Sequence, residues 1–260
     1  MDALKQEYAR ILQGLQIDKF NLDEDEYSGV FLPEPFDEYW AAKTKVMLVG
    51  REAGGWYTDT KPPQCTIKRA AGLGGVPVSE VVDESLGRYR NHFELQGDKV
   101  VDTSRSRFMQ YYSLLARGLG LDSRALIYAS LLAWDYDKRD PSNRPSTEYN
   151  EVVSVSQELL AAQIRHFSPD FIVFATGKLK AACWIIRHLF DDHLGGYQLA
   201  KENLVRGNHW EYEVRGYRRE FEAAGATCYH ISHPRAGSWH AQLDPLVSRI
   251  KASVASRSLE

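Results

Sequence analysis

Four short apolar segments along the chain predict the strands of a buried sheet. They lie at 46–49, from 125 onward, at 168–177 and at 226–234, and each runs into glycine, proline or a polar loop. Segments with apolar residues at helical spacing separate most of them. Uninterrupted apolar strands that alternate with helices are typical of a parallel sheet covered by helices on both faces. The pattern therefore predicts an α/β fold with four parallel strands.

Helical periodicity accounts for much of the remaining chain. The helix that begins the chain, at 1–18, and the loop after it are expected to pack, as residues 1–44, on the core of a single domain spanning 1–260. Residues 61–102 carry glycine and proline breakers without strong periodicity, and we expect an insertion near the functional site. The other predicted elements are helices at 106–118, 147–166, 178–191, 216–225 and 241–256 and a short strand at 207–214.

Composition and charge limit the classes of protein that the chain can represent. A net charge of −3 and a pI near 6.3 exclude a globally basic nucleic-acid-binding protein, but not a local cationic face. Cys65, Cys183 and Cys228 are far apart and form no Cys-x-x-Cys pair, which argues against a disulfide framework, a zinc knuckle or an iron–sulfur cluster. We expect a monomer with reduced thiols in the cytoplasm, without cofactor, metal or membrane partner.

The predicted strand ends carry most of the residues with chemical potential. Ligands of open α/β sheets bind outside the carboxyl ends of the strands. The first strand runs into "GREAGGW" at 50–56, and the last runs into "SHPRAGSW" at 232–239. The candidate site residues at the four ends are Glu52 and Trp56, Ser130 and Asp135, Thr176, and His233 with Arg235.

These segments together resemble the motifs of the uracil-DNA glycosylase superfamily. The family's first motif is a glycine with polar residues including an acid or asparagine, and its second is His-Pro followed by small residues. The middle strand, "PDFIVFATGKLK", is similar to a third segment of the family, and the order matches over roughly residues 40 to 255. The resemblance implies a three-layer α/β/α sandwich around a four-stranded parallel sheet. It also implies a DNA partner, because these enzymes flip a nucleotide out and hydrolyse its N-glycosidic bond.

The resemblance assigns roles to individual residues. Glu52 falls at the position of the acid that orients water and stabilises the sugar cation, and His233 falls at that of the histidine that supports the departing base. Trp56 or Tyr57 would stack on the flipped base, although Trp56 is equally well explained by ordinary packing. The implied base-binding residues are Gly50, Arg51, Ala53, Trp56, Tyr57, Ser130 and Asp135. The implied DNA-binding residues are Arg235, Ser238, Trp239 and Lys178.

Several positions depart from the uracil-specific pattern. Ser130 or Ala129 stands where those members place an asparagine, and a serine cannot make the bidentate contact of an amide. Ala53 and Gly54 replace bulkier residues near the C5 side of the pyrimidine. The departures predict a modified base rather than uracil. Glucosylated hydroxymethylcytosine of phage DNA is one candidate, with Arg88 and polar neighbours such as Asn91 and His92 placed to contact its sugar.

Other functions stay open at this level. One is uracil excision in base-excision repair, and another is a domain that binds a modified base without cutting it. A small-molecule α/β hydrolase or nucleoside-processing enzyme is disfavoured, because the chain lacks Gly-x-Ser-x-Gly, a Walker loop and a dinucleotide fingerprint. No lysine is placed for Schiff-base lyase chemistry, so a glycosylase would be monofunctional. His230 lies inside the last strand and is expected to be a core histidine.

Overall fold

The computed structural model describes residues 2–56, 66–73, 75–93, 107–177, 179–199, 219–236 and 239–257. The predicted strand at 207–214 lies outside these residues, as do the predicted site residues Tyr57, Lys178 and Ser238. Trp239 is described only by its place at the start of a helix.

The described strands form one sheet, in the order β2-β1-β3-β6-β5-β4. β3 pairs in parallel with β1 and β6, whereas β5 pairs antiparallel with β6 and β4. The α/β class is confirmed, and all four predicted strands are present, but the sheet has two strands more than predicted. The strands are β1 Val46–Gly50, β2 Leu126–Ser130, β3 Phe171–Phe174, β4 Gln198–Leu199, β5 Arg219–Ala223 and β6 Ala226–His230.

Helices occupy most of the chain between the strands. In β1, β2, β3 and β6 every residue is buried, as uninterrupted apolar runs require when both faces of a strand are covered. A π-helical turn at Leu189–His193 directly follows the helix Lys180–His188. The helices are α1 Asp2–Gln13, α2 Asp37–Ala41, α3 Thr66–Ala70, α4 Val78–Phe93, α5 Arg107–Leu119, α6 Ser146–Phe167, α7 Lys180–His188 and α8 Trp239–Arg257.

The helix predicted at 216–225 is wrong, because its described part is the strand β5. Burial alternates along β5: Phe221 and Ala223 are buried, whereas Glu222 between them is exposed. Ala224 and Gly225 both have positive φ, 52° and 76°, and they connect the paired ends of β5 and β6. Two such residues are typical of the tight turns that join antiparallel strands. Gly225 therefore closes a hairpin and not a helix.

The prediction that residues 61–102 are irregular is also wrong for the described part, which contains α3 and α4. That this segment is an insertion near the functional site stays a prediction. The apolar residues of α4 recur at helical spacing and are buried at Val78, Val81, Val82, Leu86 and Tyr89. The backbone carbonyl of the residue before this helix, Pro77, accepts hydrogen bonds from the amides at positions 80 and 81. Gly72, Gly75 and Pro77 precede this helix, and Gly87 is accommodated within it.

The chain divides into two compact units, which alternate along the sequence. The first unit contains 1–34, 51–92 and 129–166, and the second contains 35–50, 93–128 and 167–260. The expectation of a single domain stays a prediction. In the described part of the chain, no helix is both long and apolar enough to cross a bilayer.

Within the first unit, the N-terminal segment packs on α4 and α6. The buried carboxylate of Glu151 accepts hydrogen bonds from the Gln16 amide at 3.0 Å and from Lys19 Nζ at 2.7 Å. Glu148, one turn earlier on α6, binds the Asn21 amide at 3.1 Å. These bonds tie residues 16–21 to α6 within the first unit, while residues 35–44 belong to the second unit. The packing of residues 1–44 as one segment on the core stays a prediction.

Candidate functional site

The carboxyl ends of β1, β3 and β6 lie at one edge of the sheet in the second unit. The amide of Ala175, just after β3, donates to the Val49 carbonyl of β1 at 2.9 Å. The Ile231 amide, just after β6, donates to the Phe174 carbonyl at 2.9 Å, and the Gly177 amide donates to the Ile231 carbonyl at 3.2 Å. The ends of these three strands therefore lie side by side.

Gly50 ends β1 at this edge and is required by packing. A Cβ at this position would lie 3.1 Å from ring carbons of both Phe108 and Tyr128. These two rings pack against each other with centroids 4.6 Å apart. Glycine therefore lets two aromatic rings approach the strand end, and the proposed contact of Gly50 with a base stays a prediction.

Glu52, two residues after β1, is held by its neighbour Arg51. Arg51 Nη2 donates to Glu52 Oε1 at 3.0 Å, and its Nε donates to the other carboxylate oxygen. The Glu52 side chain is only 9% exposed, and Asp140 lies 3.6 Å from Arg51 Nε. The hydrogen bond to Glu52 raises the pKa of Arg51. Glu52 thus has a fixed orientation within the first unit, while the half-buried Ala53 beside it adds only a methyl group.

A glycine turn follows and is fixed by Asp135, which lies beyond the end of β2. Gly54 and Gly55 both have positive φ, 66° and 86°, a region that other residues rarely adopt. The Gly55 amide donates to Asp135 Oδ2 at 2.6 Å. The Leu132 amide donates to the Arg51 carbonyl at 2.9 Å, which ties the same two loops together a second time. The structure therefore brings the predicted residues Glu52 and Asp135 into one loop cluster of the first unit.

Asp135 is fully buried, and the two oxygens of its carboxyl group differ in their surroundings. Oδ1 is buried and has no hydrogen-bond partner among the residues that the structure describes. Burial raises the pKa of the Asp135 carboxyl, and the Gly55 amide offsets part of that increase. A buried acid with an unsatisfied oxygen beside a strand end is a candidate for a functional group.

The loop after Asp135 makes a tight turn of unusual geometry. Tyr136 and Arg139 exchange two backbone hydrogen bonds of 3.0 Å, and the residues between them, Asp137 and Lys138, both have positive φ. Each non-glycine residue with a positive φ costs roughly 1–2 kcal/mol of folding free energy. Strain of this kind often accompanies functional sites. Lys138 also packs against the glycine turn, because a Cβ on Gly55 would lie 3.2 Å from its Cγ.

Trp56 is 4% exposed and belongs to the core of the first unit. Its ring meets Phe31 edge-on at 4.6 Å and His92 at 5.4 Å. The Arg88 guanidinium lies over the ring at 5.1 Å from its centroid. Packing, the alternative role left open by the sequence, is thus what the structure shows for Trp56. Stacking on a base is not supported at this position.

Two polar groups remain unsatisfied beside this ring. Trp56 Nε1 and Arg88 Nε are both buried without a hydrogen-bond partner in the described ranges. Partial burial also lowers the pKa of the Arg88 guanidinium. Arg88 and His92, two residues predicted to contact a sugar, thus lie on α4 against Trp56 of the loop that follows β1. Their role in sugar binding stays a prediction.

Ser130, at the end of β2, uses its hydroxyl group within its own loop. Its Oγ donates to the Leu132 carbonyl at 2.8 Å, and the residue is 5% exposed. A hydroxyl group has a single proton, so Ser130 retains only an acceptor for any other partner. A donating contact from Ser130 to a base would require that this bond break.

His233 begins the loop after β6 in the second unit, and its tautomer is set by the backbone. The Arg235 amide donates to His233 Nδ1 at 3.1 Å, and the Ala236 amide donates to the His233 carbonyl at 2.8 Å. A nitrogen that accepts a hydrogen bond carries no proton, so in the neutral ring the proton resides on Nε2. In this tautomer the donor of the His233 ring is Nε2–H.

Two residues that the sequence did not single out fix the start of this loop. Gln242 of α8 accepts from the Ser232 amide at 2.7 Å and donates to Ser232 Oγ at 2.8 Å. Gly177 packs directly on His233, since a Cβ there would lie 3.2 Å from His233 Cβ. Gly177 was detectable as the glycine that ends a predicted strand. Gln242 gave no signal, because its importance depends on a contact with another element.

Arg235 is exposed at the turn, and its backbone carbonyl accepts a long hydrogen bond of 3.4 Å from Arg107. Glu52 belongs to the first unit and His233 to the second, so their joint action on one ligand stays a prediction. Within the described part of the chain, no cluster of three or more histidine, cysteine or acidic residues could hold a metal ion.

No protein-family model matches the chain, and no curated protein matches it at a significant level of similarity.

Proposed function

We propose that the protein is a monofunctional DNA glycosylase with a three-layer fold like that of the uracil-DNA glycosylases. It flips a nucleotide out of DNA and hydrolyses the bond between a modified base and its deoxyribose. The observation that carries the proposal is the Nε2–H tautomer of His233, fixed by the Arg235 amide at the edge of the sheet where β1 also ends.

The donor at His233 suits the charge that develops on a leaving base. Cleavage of an N-glycosidic bond moves electrons onto the base, where a carbonyl oxygen becomes more negative. A preorganised donor aimed at that oxygen stabilises the transition state by about 2.7–4 kcal/mol. The Arg235 amide holds the ring in the tautomer with its proton on Nε2, so no proton has to move between the ring nitrogens before the reaction.

The carboxylate of Glu52 serves the other product of bond cleavage. Positive charge builds on the sugar, and an oriented carboxylate stabilises it and positions the attacking water. Glu52 follows Gly50, the end of β1, by two residues, and Arg51 restricts its orientation through two hydrogen bonds. We assign Glu52 to the sugar and His233 to the base.

The substrate class follows from the small residues of the first loop. A Cβ on Gly54 would meet nothing within 4 Å, so this position adds no bulk. Ser130, in place of an asparagine, donates its proton to Leu132 and does not offer an amide edge. Both observations favour a base enlarged at C5 over uracil, and glucosylated hydroxymethylcytosine is the form that we propose to test first.

The experiment compares base release from oligonucleotides carrying uracil, hydroxymethylcytosine, glucosylated hydroxymethylcytosine or an alkylated base. Strand scission after alkali measures release, and scission without alkali measures lyase activity. We expect release of the enlarged cytosine, no scission without alkali, and a loss of about 10²–10⁴-fold in Glu52→Gln. His233→Ala is expected to lose about 10²–10³-fold. The matched controls Glu80→Gln and His166→Ala alter residues of the first unit outside the loop cluster and should retain full activity.

Each alternative predicts a different result in the same assay. Fastest release of uracil would contradict the argument from the small residues. Binding of modified DNA without release from any substrate would identify a binding domain instead. Undiminished release in both site variants would contradict the assigned roles.

A further inference from the structure

His230, the last residue of β6, lies three residues before His233 and is 1% exposed. Its Nε2 lies 2.9 Å from the Gly177 carbonyl oxygen and 3.1 Å from Thr176 Oγ1. A carbonyl oxygen can only accept, so Nε2 of His230 carries a proton and donates it to Gly177. The expectation of a buried core histidine is confirmed, and its hydrogen bond points at the loop after β3.

The backbone of Gly177 is held on both sides. Its carbonyl accepts from His230, and its amide donates to the Ile231 carbonyl at 3.2 Å. Gly177 adopts a φ of 83°, and a Cβ there would lie 3.2 Å from His233 Cβ and 3.5 Å from the His233 amide nitrogen. The position of Gly177 therefore limits where the His233 backbone and side chain can lie.

Packing alone does not explain a histidine at position 230. A buried polar group costs free energy unless it is hydrogen-bonded, and an apolar residue of similar volume would avoid that cost. The neighbouring strand residues Tyr229 and Ile231 are fully buried. A histidine at this position adds a donor directed at the Gly177 carbonyl, with Thr176 Oγ1 also in reach.

We propose that His230 is a positioning residue for His233, acting through the Gly177 carbonyl. It fixes the Gly177 turn, which in turn fixes the orientation of the His233 ring. This inference rests on the proposed function for its consequence in catalysis, but its structural part can be tested without any activity. Gln242 of α8 constrains Ser232, the residue before His233. His230 adds a second constraint through Gly177 in the loop after β3.

The first test measures the tautomer of His233 by nitrogen-15 NMR of the histidine side chains. In the unmodified protein we expect the Nε2–H form to dominate. His230→Gln retains an amide donor near the position of Nε2 and should preserve that form. His230→Leu removes the donor, and Gly177→Ala displaces the turn from the other side. Both should give a mixture of tautomers or exchange-broadened His233 signals.

The second test measures single-turnover base release and the affinity for DNA containing an abasic site. His230→Leu should lower the rate by about 10–100-fold, as loss of a group that orients a catalytic residue typically does. DNA affinity should change by less than about twofold, because an orientation effect acts on the chemical step. His230→Gln should restore most of the rate. Combined with His233→Ala, the His230→Leu change should cause little further loss, because the residue that it positions is already absent.

The results that overturn the inference are distinct from those that overturn the proposed function. If the His233 tautomer is unchanged in both His230→Leu and Gly177→Ala, His230 does not position His233, whatever the activity. If His230→Leu does not fold, His230→Asn decides the question, because its amide nitrogen lies near the position of Nδ1 and cannot replace the donor to Gly177. An unchanged His233 tautomer in His230→Asn would then overturn the inference. If the unmodified protein releases no base while the tautomer responds as expected, the proposed function fails and the positioning role stands.

Discussion

The backbone amide of Arg235 donates a hydrogen bond to Nδ1 of His233 at 3.1 Å. Both residues belong to the turn after β6, in which the Ala236 amide also donates to the His233 carbonyl. The turn therefore supplies, from its own backbone, the hydrogen bond that places the ring proton on Nε2. This relationship makes the function of His233 depend on one atom, Nε2.

The choice of replacement at His233 should reveal which nitrogen acts. His233→Leu should lower single-turnover base release by about 10²–10³-fold, as expected when one aligned donor is lost. His233→Gln should retain more activity than His233→Asn, because a glutamine amide nitrogen lies near the position of Nε2 and an asparagine amide nitrogen near Nδ1. His166→Gln on α6 is the control and should have no effect. Higher activity in His233→Asn would show that Nε2 is not the donor.

Arg235 is expected to contact a DNA phosphate. Arg235→Ala should weaken binding to all DNA sequences about equally. The slope of log Kd against the logarithm of the salt concentration should fall by about one. Fluorescence anisotropy with labelled DNA at several salt concentrations measures both. Lys251→Ala, an exposed cation of α8, is the matched control. An unchanged slope in Arg235→Ala would mean that Arg235 makes no phosphate contact.

Gly177 should be less tolerant of alanine than a glycine with the same backbone conformation and free space. Gly195 has a φ of 80°, against 83° for Gly177, but nothing lies within 4 Å of its Cβ position. Gly195→Ala should cost about 1–2 kcal/mol of unfolding free energy, from the backbone alone. Gly177→Ala should cost a further amount of about 1–3 kcal/mol, because the His233 Cβ and backbone cannot move easily. Urea denaturation measures the difference, and equal losses would contradict the close contact.

Glu148 should contribute stability that is lost in acid. It binds the Tyr27 hydroxyl at 2.9 Å, the Asn21 amide, and Arg144 through two nitrogens at 3.0 and 3.1 Å. Burial acts to raise the pKa of Glu148, but these partners outweigh it and lower that pKa. The contribution is therefore complete above the unfolded pKa of about 4.3 and declines as pH falls through the lower folded value.

The Glu148→Gln variant tests this dependence. The unfolding free energy of the unmodified protein should exceed that of the variant most at neutral pH, and the gap should narrow below about pH 4.3. Glu80→Gln, on the exposed face of α4, should show no such change. A gap that widens in acid would show that Glu148 is not stabilised in its charged form.

Asp135 should behave in the opposite sense. Burial raises the pKa of its carboxyl, so ionisation of Asp135 destabilises the folded state. The protein should lose stability as pH rises from the unfolded pKa of about 3.9 through the folded value. The stability of Asp135→Asn relative to the unmodified protein should therefore increase between about pH 4 and pH 7 in urea denaturation. If the stability difference between the two proteins does not change with pH, the pKa of the Asp135 carboxyl is not raised in the folded state.

The sequence predicted the four buried strands because each one is apolar on both faces. Such a run can be recognised as a buried strand without knowing which strands lie beside it. β5 could not be found this way. Its mixture of charged and apolar residues, followed by Gly225, also fits an amphipathic helix that ends at a glycine. The antiparallel pairing with β6, which decides between these structures, is a tertiary contact.

The candidate site was predictable where it depends on strand ends and not where it depends on side-chain partners. The positions of Glu52, Asp135 and His233 follow from the ends of β1, β2 and β6. By contrast, the burial of Trp56 depends on rings and a guanidinium from segments distant in sequence. The hydrogen bond that occupies Ser130 depends on the path of its own loop. Neither is encoded in a local pattern.

β6, which ends three residues before His233, pairs with β3 on one side and with β5 on the other. A strand in this position cannot slip by one residue without breaking two ladders and turning every side chain to the opposite face. An extra residue in the Ala224–Gly225 connection is therefore expected to lengthen the hairpin turn and to leave the register of β6 unchanged. The alignment of the histidine thus depends on the ladder between β3 and β6 and not on the length of the surface turn.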